Sequence, residues 1–157
     1  MTDTLTRPAN ELLTGRAYRP ELDEPGASSL SPWSEPAPAL RVPQHLWPVA
    51  ARVLELLELP ANWDSYGASH VSSRAARRAL VLLLDHGYRG PLPAVSPTVG
   101  GGVHLEWSNG ADGVEIEVEP GGALDVLIDV GGEMVEATTT DPDHGLLLRA
   151  LSWARQH

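Results

Sequence analysis

Two periods of hydrophobic spacing divide this chain. Between Pro43 and Gly87 apolar residues recur every three or four positions, whereas after Ala94 they recur every second position, so the first stretch reads as helix and the second as strand. Leu46, Val49, Ala50, Val53, Leu54, Leu57 and Leu59 form the first stripe, which Pro60 ends, and they predict a helix over about 44–58. Ser72 is the expected N-cap of a second helix over about 73–86. Its apolar face is Ala75, Ala76, Ala79, Leu80, Leu83 and Leu84, and Gly87 is its C-terminal cap.

The alternating segments predict strands at 94–98, 102–108, 113–119, 123–130 and 133–139, separated by Gly100 to Gly102, Asn109-Gly110, Pro120 to Gly122 and Gly131-Gly132. Connections this short can only join antiparallel neighbours. A last helix is expected from about Pro142, with Asp141 as N-cap and Leu146, Leu147, Ala150, Leu151 and Trp153 facing inward. The fold class is therefore α+β: two N-terminal helices, an antiparallel meander of four to five strands and a C-terminal helix, with the helices packed on one face of the sheet.

Hairpin geometry then assigns faces. If Trp107 opposes Val114, Val118 opposes Leu124 and Val130 opposes Glu133, then Val103, Leu105, Trp107, Val114, Ile116, Val118, Leu124, Val126, Ile128 and Val135 share the core face. On the other face His104 opposes Glu117, Glu106 opposes Glu115, and Asp125 opposes Glu117 from the next strand, with Glu136 beyond. Directly opposed like charges cost a few tenths to about 1 kcal/mol each. A sheet that keeps them has solvent to screen them or a partner to neutralise them.

Before Pro43 the pattern is lost. Pro8, Pro20, Pro25, Pro32, Pro36 and Pro38 punctuate a stretch of Ser and Glu with little apolar periodicity, too little to offset chain entropy. Residues 1–42 are expected to be a Pro-rich, largely disordered tail, and 43–157 a single α+β domain. A short patch of Leu12, Leu13 and Tyr18, with Trp33 further on, is the one part of the tail suited to docking.

Composition narrows the function classes. The 157 residues contain no cysteine, which excludes disulfides, thiolate metal sites and cysteine nucleophiles. No run of 18 apolar residues occurs and the N-terminus lacks the basic-then-apolar order of a secretory signal, so a cytoplasmic protein without membrane association is expected. All eleven basic residues are arginine, in keeping with a GC-rich bacterial source. The formal charge of −10 is unevenly spread: residues 91–140 hold nine acids and no arginine. That segment is a poor match for a phosphate backbone, so no nucleic acid is expected on the domain, and it suits a basic or arginine-rich protein surface.

Arg74, Arg77 and Arg78 lie in the N-terminal half of the second expected helix, where the macrodipole disfavours cations. Helix stability does not explain them. They are expected to face the acidic sheet or a partner.

Other candidate chemistry is weaker. The heptapeptide NWDSYGA, residues 62–68, offers Asp64, Ser65 and Tyr66, with His70 nearby, as an alternative site. No G-x-S-x-G frame activates Ser65. The same residues also read as a structural plug: Asn62 or Asp64 capping turn amides, Gly67 in a backbone conformation others avoid, and Trp63 and Tyr66 filling the gap between helices and sheet. In that case Trp63→Ala would cost about 3–5 kcal/mol. Asp141 to His144 resembles a metal-ligand run but reads as a helix start, and the triplet Gly100 to Gly102 leads into a strand, so it is a hairpin turn and not a phosphate loop. Neither a metal nor a cofactor is expected.

NWDSYGA, then PAVSPTVGGGVHLEW and the EIEV strand, resembles a set of small bacterial proteins with no established activity. Their common pattern is a W-D-x-x-G-A turn, a P-T-x-x-G-G-V-x-L-E-W hairpin and a following acidic strand. The resemblance covers about residues 60–135. It implies a fold, a place in a small gene module with a neighbouring product, and no catalytic residue.

The expected function is that of a non-enzymatic, acidic protein-protein interaction module, antitoxin-like or immunity-like toward the product of a neighbouring gene. Its binding face would comprise His104, Glu106, Glu115, Glu117, Asp125 and Glu136. The alternative is a small-ligand-binding protein or enzyme with a site between NWDSYGA and the hairpin tip. A homo-oligomer formed through an exposed strand edge is a third possibility.

Overall fold

The computed structural model describes residues 41–157. The expected disordered tail and its apolar patch lie, apart from Arg41 and Val42, outside the described residues. A short 3-10 helix, Gln44–Leu46, leads into α1, Trp47–Leu57; α2 spans Ser73–Asp85; and strands β1 Ala94–Pro97, β2 Val103–Asn109, β3 Asp112–Val118, β4 Leu124–Val130 and β5 Glu133–Thr139 precede α3, Gly145–Ala154. The fold is α+β, with a five-stranded antiparallel sheet in the order β1-β2-β3-β4-β5.

The strand registers follow the hydrophobic alternation. Trp107 faces Val114, Val118 faces Leu124 and Val130 faces Glu133. Val103, Leu105, Val114, Ile116, Val118 and Leu124 are fully buried, and they join Val53, Leu56, Ala75, Ala79, Leu83, Leu147 and Leu151 of the helices in one core cluster. Val135, on the edge strand, is only half-buried.

One stripe assignment and one helix start need correction. Leu54 is 60% exposed while Leu56 is completely buried: α1 turns Val49, Val53 and Leu56 inward, at i, i+4 and i+7, and two residues of helical rotation put Leu54 on the opposite side. The last helix begins at Gly145, three residues after Pro142, and its N-cap is His144, whose side chain makes no capping bond. Asp141 instead accepts a hydrogen bond from the Asp143 amide in an Asx turn at 2.9 Å.

α2 is better capped. The Ser72 hydroxyl accepts from the Ala75 amide at 3.4 Å. At the other end the Gly87 amide donates to Leu84 O and the Tyr88 amide to Leu83 O, each at 2.9 Å, which is a Schellman closure with Gly87 at φ +54°. That closure delivers Tyr88 into the core with no exposed surface. Its ring meets Trp107 at 5.7 Å between centroids, its hydroxyl lies 2.6 Å from Pro91 O and 2.9 Å from Ala154 O, and Trp107 Nε1 donates to the same Pro91 carbonyl at 2.9 Å. Burial raises the Tyr88 phenol above its ordinary pKa, a shift opposed by the nearby Trp107 indole N–H and the Arg155 charge.

The aromatic plug is therefore Tyr88 with Trp107, and the NWDSYGA plug needs revision. Tyr66 is 93% exposed and Trp63 only half-buried. The core-aromatic loss expected for Trp63→Ala accordingly falls toward the ordinary range of about 0.5–3 kcal/mol.

Candidate functional site

The outward positions of the sheet form two rows that cross all five strands. Ser96, His104, Glu117, Asp125 and Thr138 stand in one row, and Ala94, Glu106, Glu115, Leu127 and Glu136 in the next. The six residues expected on the acidic face are thus adjacent in space. Glu106 faces Glu115 and Glu117 faces Asp125, so Glu115 and Glu117 of β3 each have a like charge directly across.

His104 is the one nitrogen base in these rows. Its register partner is Glu117, yet Nε2 turns to the diagonal Glu115, 3.5 Å from Oε2. Nε2 is shielded from solvent and has no hydrogen bond of good geometry. Otherwise, among the described residues, no basic side chain lies within 4 Å of a carboxylate of this face.

These side chains border an open concavity of about 510 Å³ between β2 and β5, lined by His104, Glu115, Glu117, Asp125 and Glu136 together with Leu127 and Thr138. The last two were missed in the sequence reading. Leu127 was legible there, because strict alternation in LDVLIDV puts it outward among the acids. Thr138 was legible too, because the register that sets Val130 opposite Glu133 also sets Thr138 opposite Asp125. Among the described residues no group of three His, Cys, Asp or Glu side chains is arranged to hold a metal ion.

NWDSYGA folds on itself. Asn62 and Ser65 adopt positive φ of 61° and 65°, and Gly67 one of 99°. Asn62 Oδ1 accepts from Gly67 N at 2.7 Å, and Asp64 Oδ1 accepts from Tyr66 N and Ala68 N at 2.8 and 3.0 Å. The Ala68 and Tyr66 amides hold the Asp64 carboxyl below its ordinary pKa.

His70 is engaged as well. Its Nδ1 lies 3.0 Å from Leu59 O, which can only accept, and its Nε2 lies 3.3 Å from Ala61 N, which can only donate. These partners select the neutral tautomer with the proton on Nδ1. Among the described residues no hydrogen bond links the side chains of Asp64, Ser65, Tyr66 and His70 to one another. The loop does touch the β1–β2 hairpin tip, where Ser69 N donates to Val99 O and Ser72 N to Gly101 O at 2.9 and 2.8 Å.

Arg74, Arg77 and Arg78 do not meet the acidic sheet. Among the described residues none of them lies within 4 Å of a carboxylate. Instead they border a second concavity with the β3–β4 turn and Thr140.

Comparison of the chain with protein-family models, with curated proteins and with solved structures finds no match.

Proposed function

We propose that the protein is a non-enzymatic interaction module whose outward sheet face docks a basic, arginine-rich surface of a protein partner. The observation that carries this reading is the pair of adjacent rows in which Glu106 faces Glu115 and Glu117 faces Asp125 with no arginine in the whole 91–140 segment. Opposed carboxylates are unfavourable in the free chain and become favourable when guanidinium groups bridge them. The concavity between β2 and β5 gives such groups a place to enter, and Leu127 gives an arginine stem an apolar contact. In this reading the three helices cover only the core face, which leaves the acidic face open to a partner. Antitoxin-like or immunity-like neutralisation of a basic neighbouring gene product fits this charge pattern.

A ligand or enzyme site between NWDSYGA and the hairpin tip has the contact of those two loops in its favour. Against it, Oδ1 of Asp64 and both ring nitrogens of His70 are committed to backbone groups. Self-association through the edge strand β5 is a third reading, which light scattering separates from the first. Co-purification with the product of the adjacent gene tests the main proposal. A complex that weakens with salt is expected, and failure to form one at low and moderate salt, with the tag at either end, would overturn it.

A further inference from the structure

The side of the molecule bearing α2 carries an opposite feature. A concavity of about 440 Å³ is lined by Arg74, Arg77 and Arg78 of α2, by Val81, and by Gly122 and Pro142 from the flanking turns. In a chain of net charge −10, three guanidinium groups with no carboxylate within 4 Å among the described residues are an unbalanced cluster. Their spacing at i, i+3 and i+4 puts them on one side of the helix. Their position in the first two turns of a 13-residue helix adds the positive end of the macrodipole to their own charge.

Two of the three arginines have neighbours that place them. Arg78 donates from a terminal nitrogen to Thr140 O at 3.3 Å. The Arg74 guanidinium lies over Gly122, whose φ is +90° and where an added Cβ would come within 3.1 Å of Nε. The β3–β4 turn is held against the same helix end by the Ser72 hydroxyl, which donates to Pro120 O at 3.3 Å. A glycine at 122 therefore both allows the turn and leaves room for the guanidinium.

We propose that this cleft binds a small organic anion bearing a phosphate group, with Arg74, Arg77 and Arg78 as the phosphate clamp and Val81 and Pro142 as the wall against the organic part. Planar guanidinium forks match phosphate oxygens two at a time. The volume is that of a small-molecule site. The proposal is independent of the acidic face, which uses other residues on other elements.

The test is titration of the full chain with inorganic phosphate, pyrophosphate and adenosine monophosphate, followed by amide NMR shifts and by calorimetry. Saturable shifts at residues 74–81 and 120–122 are expected, with adenosine monophosphate bound more tightly than inorganic phosphate. Arg77→Gln, at an exposed position, should weaken binding about tenfold or more with an unchanged circular dichroism spectrum, whereas Arg52→Gln on α1 should leave it intact. The proposal is overturned if no saturable binding occurs by about 10 mM of any of the three probes. It is overturned too if the two variants lose binding equally, or if a polyglutamate peptide binds the cleft and the phosphates do not.

Discussion

Glu106 and Glu115 stand directly opposite each other on β2 and β3, both pointing away from the core. An edge of mutual repulsion is thereby built into the centre of the acidic face. Glu106→Thr replaces the repulsion with a residue suited to strands, and should raise stability by a few tenths to about 1 kcal/mol at low salt. The gain should shrink in 1 M salt, where the screening length is about 3 Å. Urea denaturation at the two salt concentrations checks this, and a loss of stability would show that the pair is not repulsive.

Tyr88 and Trp107 share the Pro91 carbonyl, and the Tyr88 hydroxyl also reaches Ala154 O at the end of α3. Tyr88→Phe keeps the ring and removes the donor. Pro91 O retains the indole, but Ala154 O loses its tyrosine partner inside the core, so the substitution should cost about 1–3 kcal/mol. The readout is a shift of the urea midpoint with an unchanged slope.

Gly101 has φ +88°, and an added Cβ would collide with the His70 carbonyl oxygen. Gly101→Ala must therefore break the contact between the hairpin tip and the loop before α2, including the Ser72 N to Gly101 O bond. A destabilisation above about 2 kcal/mol is expected from backbone strain and displacement together. At Gly100, where a Cβ would meet nothing within 4 Å, the same substitution should be far milder, and thermal melts of the two variants compare them directly.

Asp64 has a lowered pKa because the Ala68 and Tyr66 amides donate to its carboxylate. For a carboxyl whose folded pKa is depressed, the stabilisation is present above the unfolded value and lost as pH falls through the folded one. Asp64→Ala should therefore destabilise at neutral pH and make little difference once the pH is below the lowered pKa. Carbon-detected NMR titration of Asp64 should give a midpoint below that of an ordinary aspartate.

Much of the sheet was legible because alternation fixes both face and register: a one-residue slip would have exposed Val103, Leu105, Val114 and Ile116 together. The outward rows followed from the same registers. Less legible was whatever depended on packing between elements. Leu54 and Leu56 differ in burial because the stripe through Val49, Val53 and Leu56 and the stripe through Ala50, Leu54 and Leu57 have the same helical spacing, and only packing against the rest of the core selects the first. Tyr66 carries a core-type side chain yet stands in solvent, while Tyr88, isolated beyond Gly87, reaches the core through the helix closure. The arginine cleft was visible only as a misfit with the helix dipole, since its other wall comes from turns at Gly122 and Pro142 that are distant in sequence.

The central claim, that the outward sheet face receives a basic partner, is tested most directly by amide NMR titration of the chain with an arginine-rich peptide at physiological ionic strength. The predicted result is saturable shifts at His104, Glu106, Glu115, Glu117, Asp125 and Glu136, weakened in a Glu115→Gln, Glu117→Gln double variant that keeps its fold. Absence of saturable shifts on β2 to β5, or shifts unchanged in the double variant, would contradict it.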